Sequence, residues 1–373
     1  MTTLLAHEWL APIGGSENVF EELSQILPTA HRMCLWNDAP ERFSAEIEET
    51  WLARSPLRRS KALAYPFLSD AWKRVDLDGV DRVVVSSHAS SHYLASRAAE
   101  SGIASFAYVH TPPRYVWAPE FDARGDSRLA RAGRAFFKGH DRRLTSQKVA
   151  YAANSEFIRR RMREAWGVDA HVIHPPVDVE TIQSRDDWRT EVVDAEELTR
   201  LDALPPQFVL GASRLVEYKR LDAAIDVAEA LGLPAVIAGS GPHEAALRAL
   251  AAQRRVPVTF FGHASTPALH ALYQAAGVFV FMAVEDFGIM PVEAMSLGTP
   301  VVVSPLGGAR ESVEAIGGGV VHEGATYEDL PDALSALEVD PARMADRARQ
   351  FSRESFGRNV RAWLGSGDSE PVT

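Results

Sequence analysis

Short runs of aliphatic and β-branched residues alternate with helical patterns along the whole chain. In the first half these runs fall at Thr3–His7, Arg32–Leu35, Arg82–Ser86, Ser105–Val109, Lys148–Ala152 and His171–Ile173. In the second half they fall at Phe208–Gly211, Ala235–Ala238, Val258–Phe261, Val278–Phe281, Pro300–Val303 and Gly319–Val321. Brief, continuously apolar runs predict buried strands. Helical spacing fills the gaps between them, as at Leu221–Leu231, His243–Gln253 and Thr266–Ala275. This alternation predicts an α/β protein with parallel sheets covered by helices, two such units in series. The join lies between Pro175 and Pro206, because Asp178–Leu204 is polar and acidic and Pro205-Pro206 stops a helix. The divisions are then 1–177 and 178–349, followed by a helical pattern from Arg349 to Leu364 and a polar tail, 365–373, expected to be disordered.

Composition narrows the class. The chain has 373 residues, 46% hydrophobic and 24% charged, and a net charge of −11. These values suit a folded soluble protein and exclude collagen-like and disordered classes. An acidic chain is poorly suited to general nucleic-acid binding, which needs a basic surface. Cys34 is the single cysteine, which excludes an intramolecular disulfide and a cysteine-rich zinc site and suggests a reducing compartment. The longest apolar run, Ala275–Val284, has ten residues, about half of what crosses a bilayer. The start, MTTLLAHEWL, lacks the basic opening of a secretory signal. A cytoplasmic chain is expected, at most peripheral at the inner leaflet of the cell membrane.

Several segments could carry chemistry. In Glu285–Val302, Glu285 and Glu293 bracket a loop containing Gly288 and a helix start, with Pro291 and Glu293 expected in the first turn. Exposed N–H groups at a helix start attract phosphate, while carboxylates accept from hydroxyls. The combination suits a phosphorylated polyol such as a nucleotide sugar; an acidic loop with a helix-capping Glu is the competing reading. In Gly211–Asp222, Arg214, Lys219 and Arg220 follow a strand end, where α/β ligands bind. A solvated basic loop is the alternative. Gly14-Gly15 separates the first strand from a helix expected near Glu17, and Gly239 and Gly241 follow a later strand. Either pair permits close backbone approach to a ligand or simply a tight turn. His110 stands just past a strand end, placed for a ligand site or for a structural hydrogen bond. Asp76-Leu77-Asp78 precedes a strand, the wrong end for a metal-holding D-x-D. His88 and His92 have zinc-ligand spacing but lack the Glu of H-E-x-x-H, so no metal is expected there.

Taken in order, these segments resemble family 4 of the retaining glycosyltransferases. The E-x7-E element Glu285–Glu293 and the R-x4-K element Arg214–Lys219 carry the resemblance, with GGSE near the start, NSEF at Asn154–Phe157, GSGP at Gly239, FGH at Phe261 and GGARE at Gly307–Glu311. YVHTPPRYVW and Val172–Asp178 resemble the mannosyltransferases that build bacterial surface polysaccharides. Met282-Ala283-Val284 departs from the proline and acidic residue of that pattern. The resemblance implies a GT-B fold, two Rossmann-like domains with parallel sheets facing a central cleft, the helix 350–364 rejoining the first. It implies that Arg214 and Lys219 hold a diphosphate and that Glu293 accepts from ribose hydroxyls. Glu285 would meet the sugar, with help from the backbone of Phe287, Gly288 and Ile289 and from Gly241. Gly14 and Gly15 would approach the distal phosphate, and His110 the sugar near its reacting carbon.

The expected activity is retaining, metal-independent transfer of a sugar, mannose from GDP-mannose as the first choice, to a glycan or lipid-linked acceptor. Cations and helix N-termini would stabilise the departing diphosphate. The alternatives are a nucleotide-sugar-binding protein without transfer activity, or another GT-B enzyme such as an epimerase or phosphorylase. Arg124–Arg163 carries twelve Lys/Arg against three Asp/Glu, and Arg54–Arg74 interleaves basic with aromatic residues. Both suit an anionic membrane surface, or a solvated face or oligomer contact.

Overall fold

The computed structural model describes residues 1–43, 46–118 and 128–366, the side chains of 128–134 and 366 excepted. Residues 367–373 of the expected tail, and Arg124 of the basic stretch, lie outside the described residues. The chain divides into two compact units, Met1–Pro176 with the C-terminal segment from Glu354, and Val177–Arg353.

The first unit holds a seven-stranded sheet. Its strands are β1 (Thr3–Leu10), β2 (His31–Asn37), β3 (Glu48–Glu49), β4 (Arg82–Ser87), β5 (Ala104–Val109), β6 (Ala150–Ala153) and β7 (His171–Val172). They run in the order β3-β2-β1-β4-β5-β6-β7, and every described pairing is parallel. Val83, Val84 and Val85 of β4 are completely buried, as a strand covered on both faces requires. One face packs on Leu68 and Trp72 of helix Lys61–Lys73 and on Leu94 and Ala98 of helix His92–Glu100. The other packs on Val19, Phe20 and Leu23 of helix Gly15–Ile26. Phe356, Val360, Trp363 and Leu364 complete that layer. Their spacing marks one face of helix Arg353–Ser366, and the Trp363 ring meets Phe106 edge-on at 5.3 Å. Each such side chain, fully buried, contributes roughly 1.5–3 kcal/mol.

The second unit holds β8 (Val209–Ala212), β9 (Ala235–Ala238), β10 (Val258–Gly262), β11 (Val278–Phe281), β12 (Val301–Val303) and β13 (Gly319–Val321). Their order is β10-β9-β8-β11-β12-β13, again parallel throughout. Both sheets grow outward in two directions from a central pair, β1 with β4 and β8 with β11. Loops leaving the carboxyl ends of such a pair diverge, and the gap between them is where open α/β sheets take ligands.

The structure departs from the sequence expectation locally. β1 runs on to Leu10, and the two-residue β3, a pair of exposed glutamates, carries no hydrophobic signal. The helix expected from Arg349 begins at Arg353. A 3-10 turn, Arg349–Phe351, ends at Ser352, whose extended backbone breaks the pattern. Cys34 is buried in β2, where burial pushes its thiol up and leaves it unreactive.

Candidate functional site

The second unit brings its candidates together at the β8–β11 pair. The loop after β8 carries Arg214 and a 3-10 turn, Glu217–Lys219. Arg220 follows in the left-handed region (φ 54°), the only non-glycine residue with positive φ among the described residues. Strain of this kind persists only where the surroundings impose it. The loop after β11 carries Glu285. Lys219 Nζ lies 2.5 Å from Glu285 Oε1, with side chains 17% and 20% exposed. Residues 66 apart in sequence thus form a half-buried ion pair at the switch point. Arg214 is exposed, and its Nη2 donates to the Tyr218 hydroxyl at 2.7 Å.

Gly288 caps the helix Ile289–Ser296 at φ 90°, a conformation glycine adopts freely. Any Cβ there would also stand 2.9 Å from Ala309 Cβ. Because the cap falls at Gly288, Pro291 is the third helical residue and Glu293 the fifth. The expectation of Glu293 in the first turn is therefore corrected to the second. Glu293 is half-buried, and burial pushes its carboxyl up to about 7, against the opposing pull of Tyr273, whose hydroxyl donates to it at 3.4 Å. Tyr273 was missed by the sequence reading. It lies on helix Thr266–Ala275, and no local pattern links it to Glu293.

Phe287 is buried with its ring 5.6 Å from Phe351, so it anchors the loop from beneath, while Ile289 opens the helix half-buried. Gly307 and Gly308 lie under this loop: a Cβ on Gly308 would come within 2.3 Å of Asp286 O, and Gly308 N–H donates to Glu285 O at 2.9 Å. Gly241 has a packing reason of its own. A Cβ there would lie 2.3 Å from Leu215 O, so the glycine lets the loop after β9 close on the loop after β8.

In the first unit, Gly14 and Gly15 sit at the start of helix Gly15–Ile26, which begins two residues earlier than expected. A Cβ on Gly14 would strike Glu17 Oε2 at 2.0 Å. The Glu17 carboxylate folds back there to accept from Ala11 N–H at 3.2 Å and the Ser16 hydroxyl at 2.8 Å. His110 is buried past β5, its Nε2 2.8 Å from Ser86 Oγ. Burial first, then the neighbouring His88 and His7, lowers its pKa well below the ordinary value, so the ring is neutral at physiological pH.

Beside it lies a group the sequence reading did not assemble. His7, Glu8 and His88 each offer one metal-ligating atom within 4.8 Å of the others. Burial alone would raise the Glu8 carboxyl. The positive field of His88, with His7 and the Ser91 N–H, overcomes this and holds it well below the carboxylate range. The doubted His88–His92 pair does not form: His92 Nε2 meets Asp141 Oδ1 at 3.2 Å instead. Asp76 and Asp78 form an exposed turn before β4, joined by Asp78 N–H donating to Asp76 Oδ1 at 3.0 Å.

The basic stretch is less free than its count suggests. Arg159 and Arg163 both pair with Asp169, at 2.7 and 2.8 Å. Helices Lys61–Lys73 and Arg128–Arg143 carry exposed apolar side chains at Leu63 (65% exposed), Phe67 (43%) and Phe136 (66%). Tyr65 and Phe137 join the two helices, ring centroids 5.4 Å apart. No described helix is long and apolar enough to cross a membrane.

Two family models match, Glycosyltransferase Family 4 over residues 13–181 and Glycosyl transferases group 1 over residues 200–355. The chain belongs to the family 4 glycosyltransferases. It is 32% identical over 204 residues to a Mycobacterium tuberculosis GDP-mannose-dependent alpha-(1-6)-phosphatidylinositol monomannoside mannosyltransferase, 51% of this chain and 52% of the relative. A Corynebacterium glutamicum protein, a GDP-mannose-dependent monoacylated alpha-(1-6)-phosphatidylinositol monomannoside mannosyltransferase, is 31% identical over 208 residues, 51% and 53% of the two chains. The matched part of this glycosyltransferase thus spans about half the length of these curated relatives. Among solved structures, Anabaena HepE in complex with UDP superposes with a TM-score of 0.70 at 17% identity, over 98% of this chain and 100% of that one. Its likeness shows the GT-B fold.

Proposed function

We propose that the protein is a retaining hexosyltransferase that moves mannose from GDP-mannose to a glycan or lipid-linked glycan acceptor. The Lys219–Glu285 pair carries this reading: loops of the second sheet put a cation and a carboxylate side by side at the switch point, with Glu293 one helical turn beyond. Lys219 suits a diphosphate oxygen and the carboxylates suit sugar and ribose hydroxyls, so one site serves both halves of a nucleotide sugar. GDP-mannose is supported by the GDP-mannose-dependent relatives, matched over half their length.

In the proposed step the bond between the sugar's anomeric carbon and the diphosphate oxygen breaks. The acceptor oxygen bonds to that carbon from the same side. The acceptor's proton passes to the departing phosphate oxygen. Lys219 and Arg214 stabilise the growing negative charge, Arg214 exchanging the Tyr218 hydroxyl for phosphate. No carboxylate nucleophile takes part, in contrast to retaining hydrolases. His110, neutral and held by Ser86, serves as a hydrogen-bonding group. A lipid-linked acceptor at an anionic membrane surface is supported by exposed Leu63, Phe67 and Phe136 on two basic helices.

Incubation with a panel of nucleotide sugars, with and without acceptor glycans, tests this. Acceptor-dependent product with retained anomeric configuration is expected. Sugar epimerised without acceptor would make the protein an epimerase, and tight donor binding without turnover would make it a binding protein. Donor affinity should survive chelation of divalent ions. A thermal-shift panel identifies the nucleotide, since a ligand at 100 times its Kd adds about 2.7 kcal/mol.

A further inference from the structure

We infer that His7, Glu8 and His88 form a binding site for a divalent transition cation, Zn²⁺ by ligand chemistry, in the first unit. The sequence reading expected no metal and weighed His88 only with His92. The fold instead places His88, on the loop leaving β4, beside His7 and Glu8 on β1, at the switch point of the first sheet.

Each ligand is prepared in a way that fits a metal. His7 is completely buried, and its Nδ1 lies 2.9 Å from Ser86 O. A carbonyl oxygen only accepts, so Nδ1 carries the proton and Nε2 carries the lone pair. That Nε2 is buried and makes no hydrogen bond among the described residues. A backbone carbonyl fixing one ring nitrogen while the other is left bare is the usual support of a metal-ligating histidine. Glu8 is also completely buried. Its Oε1 accepts from Ala89, Ser90 and Ser91 N–H at 3.0, 2.8 and 2.8 Å, which fixes the carboxylate plane. Its Oε2 faces His88 Nδ1 at 3.1 Å, and that nitrogen meets no hydrogen-bond geometry. Tetrahedral Zn²⁺ with bonds of about 2.0–2.1 Å holds neighbouring ligand atoms roughly 3.3 Å apart, so this pair already has the needed spacing.

Charge argues the same way. Among the described residues, Glu8 has no Lys or Arg partner; only His7 and His88 pair with it. The carboxylate is kept ionised by these histidines and N–H donors, and a bound cation would take over the part that His88 plays. Two histidines and one carboxylate are a zinc set that keeps a position open for an oxygen ligand. The His88 side chain is 20% exposed, which gives an entry path. The cluster lies beside His110, whose ring centroid is 6.4 Å from that of His7 and 6.3 Å from that of His88, and the inference concerns metal binding there rather than the Lys219–Glu285 site of the second unit.

Titration of the metal-stripped full-length chain with Co²⁺ and Zn²⁺ tests it. Expected are one equivalent bound, the intense visible absorption of four-coordinate Co²⁺, its displacement by Zn²⁺, and a raised melting temperature. H88A should weaken binding by more than the roughly 10–100-fold of an outer-shell change. The more conservative H7N gives a second check if H88A fails to fold, and H31A, an exposed histidine on β2, should bind as wild type. No spectral change and no melting shift at millimolar metal would overturn the site, as would undiminished binding in folded H88A or H7N. These readouts are independent of transferase activity, so they separate failure of this site from failure of the proposed reaction.

Discussion

Lys219 and Glu293 are the residues whose chemistry can be tested most directly. K219A removes the half-buried cation assigned to the departing diphosphate. Loss of one pre-oriented electrostatic group typically lowers turnover by roughly 10²–10³-fold. Single-turnover kinetics at saturating donor should show that loss in the chemical step; near-normal turnover would refute the assignment. Glu293 sets a pH dependence. Its carboxyl, raised to about 7, must be ionised to accept from ribose hydroxyls. Donor affinity should therefore rise as pH increases from 6 toward 8, about tenfold per unit below the free-enzyme pKa. E293Q should flatten the profile, as read by calorimetry across that range. Folding stability runs the other way. A carboxyl whose pKa is raised on folding contributes stability that is full below its unfolded value and is lost as pH climbs through about 7.

Loops and helices are held by contacts that no single element encodes. The Glu285–Gly288 loop rests on Gly307-Gly308, and a Cβ at Gly308 would meet the Asp286 carbonyl at 2.3 Å. G308A should push the loop outward. Overpacking typically costs about 1–3 kcal/mol, so urea denaturation should register it together with weaker donor binding. Asp141 plays the same part for helix Arg128–Arg143. Its completely buried carboxylate accepts from Tyr93 at 2.7 Å, from both Trp117 and Trp166 at 2.6 Å, and meets His92 at 3.2 Å. D141A leaves these donors unpaired, and breaking a buried pair of this kind costs about 3–5 kcal/mol. The midpoint of urea unfolding should fall accordingly. Helix ends were the least legible part of these elements: Ser352 breaks a pattern that looks continuous in sequence, because an extended backbone there carries the chain from the second unit into the first.

For the molecule as a whole, the exposed apolar residues of two basic helices should matter only where anionic lipid is present. Flotation with anionic liposomes at low ionic strength should carry the protein upward, and neutral vesicles should not. Raising the salt should release it, since screening shortens the reach of the basic side chains. F136A with L63A should weaken the association, both residues being exposed and outside the assigned donor site.

The periodicity of the sequence by itself determined the α/β class and twelve of the thirteen strands among the described residues, because buried parallel strands read as continuous apolar runs. It also singled out Lys219, Glu285 and Glu293 as chemically suited residues. Only the tertiary structure decided which of them meet. Lys219 and Glu285 come from loops far apart in the chain, and crossover connections that put β8 beside β11 bring them into one ion pair. The same holds for His7, Glu8 and His88, which β1 and β4 place together although some eighty residues separate them. A one-dimensional pattern reports which face of an element is buried. Sheet order, and with it the meeting of side chains from distant loops, is set by packing among all the elements at once.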